Sequence, residues 1–205
     1  MKVIGLAGGS GTGKGTVCAA FKKYNITSID TDDVYHKLTS TVNSPCLNAL
    51  ISEFGERVIN SDGILDRAEL AKIVFAEDGF AKRERLNKIA HYFVLDEVRN
   101  IIKSLSDSGY DAVLVDAPLL FESGFDKECD IILCVISEKN ARIKRIMERD
   151  NITRDAAVKR IDAQLSDEFL IQRSDYVIYN NGTEEELEHD VADIANKIKN
   201  NKKEI

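Results

Sequence analysis

The stretch Val3–Thr16 (VIGLAGGSGTGKGT) limits the fold more than any other part of this chain. Val3–Ala7 is an apolar run that reads as a buried parallel strand. Gly8–Gly13 follows, with glycine at four of six positions. Lys14 and Thr16 then open a helix, because Val17, Ala20, Phe21 and Tyr24 recur at helical spacing. The chemistry explains the residue types. A polyphosphate is best held by backbone N–H groups turned into one concavity. Only a chain with few β-carbons wraps that closely. The helix that follows adds its positive end, and a lysine supplies a mobile cation for the β- and γ-phosphates.

Strand, glycine turn, Lys, hydroxyl and helix in that order is the phosphate-binding loop of P-loop nucleotide-binding proteins. The usual pattern has Ser or Thr directly after the Lys, where its hydroxyl helps hold Mg²⁺. Here that position is Gly15, and the hydroxyl comes one residue later at Thr16. The string GKGT also occurs in adenylate kinases, so the departure bears on how the metal is held and not on nucleotide binding.

Composition narrows the partners. A chain of 205 residues is one domain, or one core with an inserted lobe, and 43% hydrophobic residues suffice for a sizeable core. A formal net charge of −7 argues against nucleic acid as the main partner. Cys18, Cys46, Cys129 and Cys134 show no CxxC spacing, so no zinc site is expected; Cys18 and Cys134 read as small buried hydrophobes. The five apolar residues before the glycines are too few for a signal segment, and no run approaches a membrane span. The expectation is a soluble cytoplasmic protein with no membrane partner.

Ile26–Asp30 reads as a second strand ending in Asp30, Asp32 and Asp33. Ligands of open α/β sheets sit beyond the strands' carboxyl ends, so this cluster is expected near the phosphate loop. A carboxylate there can hold Mg²⁺ or take a proton from an acceptor hydroxyl; alternatively Asp30 or Asp32 caps a helix running to about Leu38. Asp33 is expected to face solvent. Ser44-Pro45 starts a helix with Leu47, Leu50, Ile51 and Phe54 on its apolar face, and Gly55 stops it. Asp66–Glu69 resembles a capping box before Leu70, Ile73 and Val74. A long amphipathic segment runs from Leu86 to Leu105. About seventy residues of helix thus separate the second and third strands, where a crossover needs only a dozen or so. The excess reads as an inserted lobe for a second substrate.

Tyr110–Asp116 is the third expected strand, and Asp116 resembles the acidic residue that orients Mg²⁺ in P-loop proteins. Asp130–Ser137 is the fourth, apolar enough for a central position. The next helix carries Arg142, Arg145 and Arg149 on one face, and a second helix from about Arg154 carries Arg160 and Gln164. The pair reads as a lid that clamps phosphates through planar guanidinium groups, or else as a solvated face paired with Glu148 and Asp150. Tyr176–Tyr179 is the last strand, followed by Asn180-Asn181-Gly182 and a helix opened by a Thr183–Glu186 capping box. The polar tail, Asn200–Ile205, is expected to fray.

With these elements in place the chain resembles the dephospho-CoA kinase family over nearly its whole length. The likeness rests on GLAGGSGTGKGTV at Gly5–Val17, IDTD at Ile29–Asp32, GILDR at Gly63–Arg67 with Leu70 and Val74-Phe75 beyond, and LNxIxH at Leu86–His91. It continues with APLLFE at Ala117–Glu122, RDxxTR at Arg149–Arg154, RIxxQ at Arg160–Gln164, and NNG at Asn180–Gly182. The resemblance implies a P-loop three-layer α/β/α fold with a five-stranded parallel sheet. Its core would take about residues 1–33, 108–140 and 174–200, with a helical acceptor lobe at 34–107 and a helical lid at 141–173. It implies transfer of the ATP γ-phosphoryl group, with Mg²⁺, to the ribose 3′-hydroxyl of dephospho-CoA, by a monomer or weak homo-oligomer.

By the same resemblance, Gly11, Thr12, Gly13, Lys14, Gly15 and Thr16 hold the ATP phosphates, and Asn180 and Asn181 lie near the adenine. Asp32 accepts the hydroxyl proton. Lys14, Arg142, Arg145 and Arg149 spread the transferred charge. Arg67, His91, Pro118, Leu119 and Arg160 contact the acceptor together with Asp32, and Thr16 and Asp116 serve the metal. The chain departs from the family at Gly15 (usually Ser), Tyr92 (usually Pro after the His) and His36 (often Arg). Other readings are a different small-molecule kinase and a nucleotide-binding homologue without catalysis. A regulatory nucleotide switch is disfavoured, because no strand is followed by Asn-Lys-x-Asp.

Overall fold

A computed structural model describes residues 1–76 and 79–200. Their packing divides the chain into two compact units, Met1–Ile29 with Ser104–Ile205, and Asp30–Lys103. Among the described residues the first unit is built on a five-stranded parallel sheet. Its strands are β1 (Lys2–Ala7), β2 (Ile26–Asp30), β3 (Ala112–Asp116), β4 (Ile131–Ile136) and β5 (Tyr176–Tyr179), in the order β2-β3-β1-β4-β5. β1 is central and carries the phosphate loop at its carboxyl end. β4 is an inner strand beside it, buried at all six positions, as its continuous apolar run requires.

Strand alternation sorts the core. Ile4, Leu6, Leu114, Leu133, Val135 and Ile178 point to one face. There they meet Val17 and Phe21 of α1 (Lys14–Phe21) and Leu187, Val191, Ile194 and Ile198 of α9 (Glu184–Asn200). On the other face, Gly5 lies so close to Cys129, Ile132 and Leu120 that a β-carbon would come within about 3 Å of each. The polar tail lies outside the described residues from position 201 on. Among the described residues no helix is long and apolar enough to cross a membrane.

Several boundaries differ from the sequence expectation by a few residues: the fourth strand is Ile131–Ile136 and the long helix runs Phe80–Asp107. The helix after the loop ends at Phe21 and tightens into one 3₁₀ turn, Lys22–Tyr24, stopped by left-handed Asn25 at φ 58°. Tyr24 still packs on the core, so the apolar period survives the change of helix type. The third strand begins two residues late, at Ala112.

The second unit is helical: α2 (Thr31–Ser40), α3 (Pro45–Phe54), α4 (Arg67–Val74) and most of α5 (Phe80–Asp107). Its core joins Cys46, Leu47, Leu50, Val58, Leu70 and Val74, with Leu86, Ile89 and Phe93 of α5 packed on it half-buried. Ser44 caps α3 by accepting from Leu47 N at 3.1 Å, and Gly55, at φ 85°, ends it. Asp66 caps α4 through Ala68 N and Glu69 N, but the reciprocal half of the expected capping box is replaced. Asp66 N donates to Val58 O at 2.8 Å, and Glu69 pairs with Lys72.

Candidate active site

The loop between β1 and α1 is stapled from within. Buried Thr12 donates its hydroxyl to Gly9 O at 2.9 Å and its N–H to the same oxygen at 3.3 Å. Gly13 is left-handed (φ 96°, ψ 27°) and caps α1, its carbonyl accepting from Thr16 N and Val17 N. Lys14 Nζ donates to Gly8 O at 3.0 Å and lies 3.7 Å from Asp116 Oδ1, with the two side chains 15% and 16% exposed. Asp116 ends β3 in register with Leu6 of β1, so parallel pairing alone carries this carboxylate to the loop. Gly15 and Thr16 are exposed on the first turn of α1.

Helix α6 (Lys139–Asp150) lays its arginine face on that loop. Arg142 is 4% exposed and donates from Nε to Ser10 O (3.0 Å), from Nη1 to Asp167, the first residue of α8 (Asp167–Gln172) (3.0 Å), and from Nη2 to Gln164 (3.3 Å). Arg145 donates from Nη1 to Gly11 O and Ser137 Oγ, both at 3.1 Å, and from Nη2 to Asn180 O at 3.3 Å. Arg149 is exposed; it reaches Ser10 Oγ at 3.4 Å and forks onto Asp150 at 2.7 and 2.9 Å. Arg160, on α7 (Arg154–Asp162), binds the same Asp150 carboxylate. The Arg149 bond, with Arg160 behind it, lowers the Asp150 carboxyl to about 2. The spacing predicted a shared face, and the structure has one. Its inner member, Arg142, is enclosed by protein acceptors and not offered to solvent.

Asn180 and Asn181 face the same loop system. Asn180 Nδ2 donates to Thr12 O at 2.8 Å. Asn181 Oδ1 accepts from Glu138 N at 2.8 Å and from Ser137 Oγ at 3.0 Å, so it holds the chain just where α6 begins. Pro118 and Leu119, in the turn after β3, line a cavity of about 140 Å³ with Gly8, Gly9, Gln164 and Leu170. Cys134 lies in β4, and burial pushes its thiol up to about 12, which removes it as a nucleophile.

In the second unit Asp30 accepts from Asp32 N at 2.8 Å and from Asp33 N at 3.3 Å, so Asp30 is the helix cap. Asp32 and Asp33 are exposed in the first turn of α2. Arg67 Nη2 donates to His36 Nδ1 at 2.9 Å, which joins one expected acceptor residue to one family departure. His91 is half-buried in α5, while Tyr92 is 69% exposed and stacks edge-on against Phe93.

Comparison with known proteins gives this geometry a family. The family model for dephospho-CoA kinase matches residues 2–186. A dephospho-CoA kinase of Fusobacterium nucleatum subsp. nucleatum is 39% identical over 186 residues, covering 90% of this chain and 92% of the relative.

The chain belongs to the dephospho-CoA kinase family.

Among solved structures, TT1252 of Thermus thermophilus is 28% identical with a TM-score of 0.78, covering 96% of this chain and 97% of that one. A dephospho-CoA kinase from Campylobacter jejuni, at 22% identity, shares the fold with a TM-score of 0.71 and 98% coverage of both chains. Membership makes this chain a phosphotransferase with an alcohol-group acceptor, acting in the last step of coenzyme A biosynthesis. ATP as phosphoryl donor follows from membership in a kinase family. Gln164, which the sequence places on the lid helix and in RIxxQ, turns out to bind Arg142; Asp167 and Ser137 carry no sequence signal and meet the arginines only through the fold.

Proposed function

We propose that the chain phosphorylates the ribose 3′-hydroxyl of dephospho-CoA with ATP and Mg²⁺, with the following division of labour. Gly11–Thr16 hold the ATP phosphates, and Lys14 neutralises charge on the β- and γ-phosphates. The pairing of Lys14 with Asp116 at the end of β3 is the observation that carries this reading. Asp116 and the Thr16 hydroxyl are hard oxygen donors, and Mg²⁺ is commonly held by one or two such groups plus substrate phosphates. Bound there, the metal would neutralise charge developing on the transferred group. Arg149 is the exposed arginine beside the loop and serves the γ-phosphoryl. Asp32 accepts the hydroxyl proton, since Asp30 is committed to capping α2. Arg67, held by His36, together with His91, Pro118, Leu119 and Arg160, contacts the acceptor. Helices α6 and α7 act as the lid, and residues 34–107 as the acceptor lobe. Four reduced cysteines suit a cytoplasmic enzyme, working as a monomer or weak homo-oligomer.

The test is coupled ADP release with ATP and Mg²⁺ against dephospho-CoA, AMP, CMP, shikimate and no acceptor. Release only with dephospho-CoA supports the assignment. Release with a monophosphate or shikimate reassigns the acceptor lobe, and ATP binding without release under any condition overturns the catalytic roles.

A further inference from the structure

Three consecutive carbonyls of the phosphate loop are each taken from outside by a different side chain. Ser10 O accepts from Arg142 Nε at 3.0 Å, Gly11 O from Arg145 Nη1 at 3.1 Å, and Thr12 O from Asn180 Nδ2 at 2.8 Å. A trans peptide is planar and carries its N–H opposite its C=O, and among the described residues no peptide is cis. Each carbonyl drawn toward α6 or Asn180 therefore turns the N–H of its own peptide to the other side. Backbone handedness agrees: Gly11 (φ 79°) and Gly13 (φ 96°) are positive on either side of Thr12, which is not. Such alternation points successive N–H groups into one anion-binding concavity.

We propose that Arg142, Arg145 and Asn180 are positioning residues that set the polarity of the phosphate loop: Arg142 and Asn180 hold Ser10 O and Thr12 O outward so that the Gly11 and Gly13 amides face the nucleotide phosphates, and Arg145 holds the Gly11 carbonyl between them, whose peptide N–H, that of Thr12, closes the inner turn on Gly9 O. This rests on the reading that Gly11–Thr16 hold those phosphates. It assigns the two arginines a task other than clamping the transferred group, and Asn180 a task other than reading the base. Burial supports the distinction. Arg142 would have to leave Ser10, Asp167 and Gln164 to reach a phosphate. The glycines fit the same device. A β-carbon at Gly9 would collide with the Arg142 guanidinium, one at Gly11 would come within 2.8 Å of Arg142 O, and one at Gly13 would collide with Asn180 Nδ2. Three of the loop's glycines thus make room for the residues that brace it.

The test measures binding of adenosine, ADP and ATP, together with kcat, for Arg145→Met, Arg145→Lys and Asn180→Leu; buried Arg142 is left intact to protect folding. Losing one such bond should weaken ADP and ATP binding by the same factor, about tenfold. Adenosine binding should be unchanged, and Arg145→Lys should recover part of the loss. A fall in kcat with ADP affinity intact would make Arg145 a γ-phosphoryl clamp and overturn the proposal. Weaker adenosine binding in Asn180→Leu would make Asn180 a base contact and overturn it as well. A parallel fall in all three affinities with the melting temperature would reduce the bonds to general stability, and unchanged affinities would also refute it. Lys14→Ala serves as the separate check. If it leaves ADP affinity intact, the phosphate-site reading fails first, whatever the other variants do.

Discussion

The phosphate loop and the residues expected at the acceptor are held over very different ranges of sequence. Ser10, Gly11 and Thr12 are braced by side chains 132, 134 and 168 residues away. In Asp30–Lys103, Asp30 holds the amides of Asp32 and Asp33 within its own helical turn, and Arg67 reaches back 31 residues to His36. The loop is therefore pre-arranged by the whole fold of its unit, while Asp32 stays exposed on a short helix start. An anion cradle acts only if its dipoles are already oriented when charge develops. A proton acceptor needs reach to the hydroxyl and a matched pKa more than a fixed surround. Substitutions on the loop side should therefore act through phosphates, and substitutions in the other unit through the acceptor.

Four measurements would break or sharpen that contrast. Lys14→Ala should cost the most, about 10³-fold or more in kcat/KM, since it removes a cation from the transferred charge. Steady-state ADP release reads this directly, and activity near wild type would break the loop side of the comparison. Asp32→Asn should lower kcat by about 10²- to 10³-fold with ATP affinity preserved. Turnover within about threefold of wild type would remove Asp32 as the base. Arg67→Met should raise KM for dephospho-CoA about tenfold and leave KM for ATP alone; a matching rise in KM for ATP would blur the two regions into one. The smallest effect belongs to Gly15→Ser. A β-carbon at Gly15 meets nothing within 4 Å, so the usual hydroxyl fits without strain. The variant should gain about 0.3–0.5 kcal/mol of helix stability, read as a slightly higher melting temperature, and reach half-maximal activity at lower Mg²⁺. A lower melting temperature would show that Gly15 has a packing role.

The two capping boxes show where sequence reading holds and where it stops. Thr183 and Glu186 close theirs in both directions, at 3.2 and 2.8 Å, with no other partner for either side chain among the described residues. Asp66 and Glu69 have the same spacing, yet Val58 O takes the Asp66 amide and Lys72 takes the Glu69 carboxylate. The local pattern was equally legible in both places. A partner brought in by the chain's return decided one of them.

The same division runs through the whole molecule. Strand β1, the glycine turn, Lys14 and the α1 start follow from residues within a few positions of one another, and the motif segments identify the family. Those features depend on backbone propensity, capping and apolar period, which act locally and survive translation into sequence patterns. Helical spacing put Arg142, Arg145 and Arg149 on one face, but it could not tell that the face would close over Ser10 and Gly11. Nor could it tell that Asn180 would reach Thr12 O, 168 residues away. Those outcomes depend on which donors and acceptors meet when the sheet forms and burial obliges each polar group to find a partner. Only the tertiary structure makes that pairing.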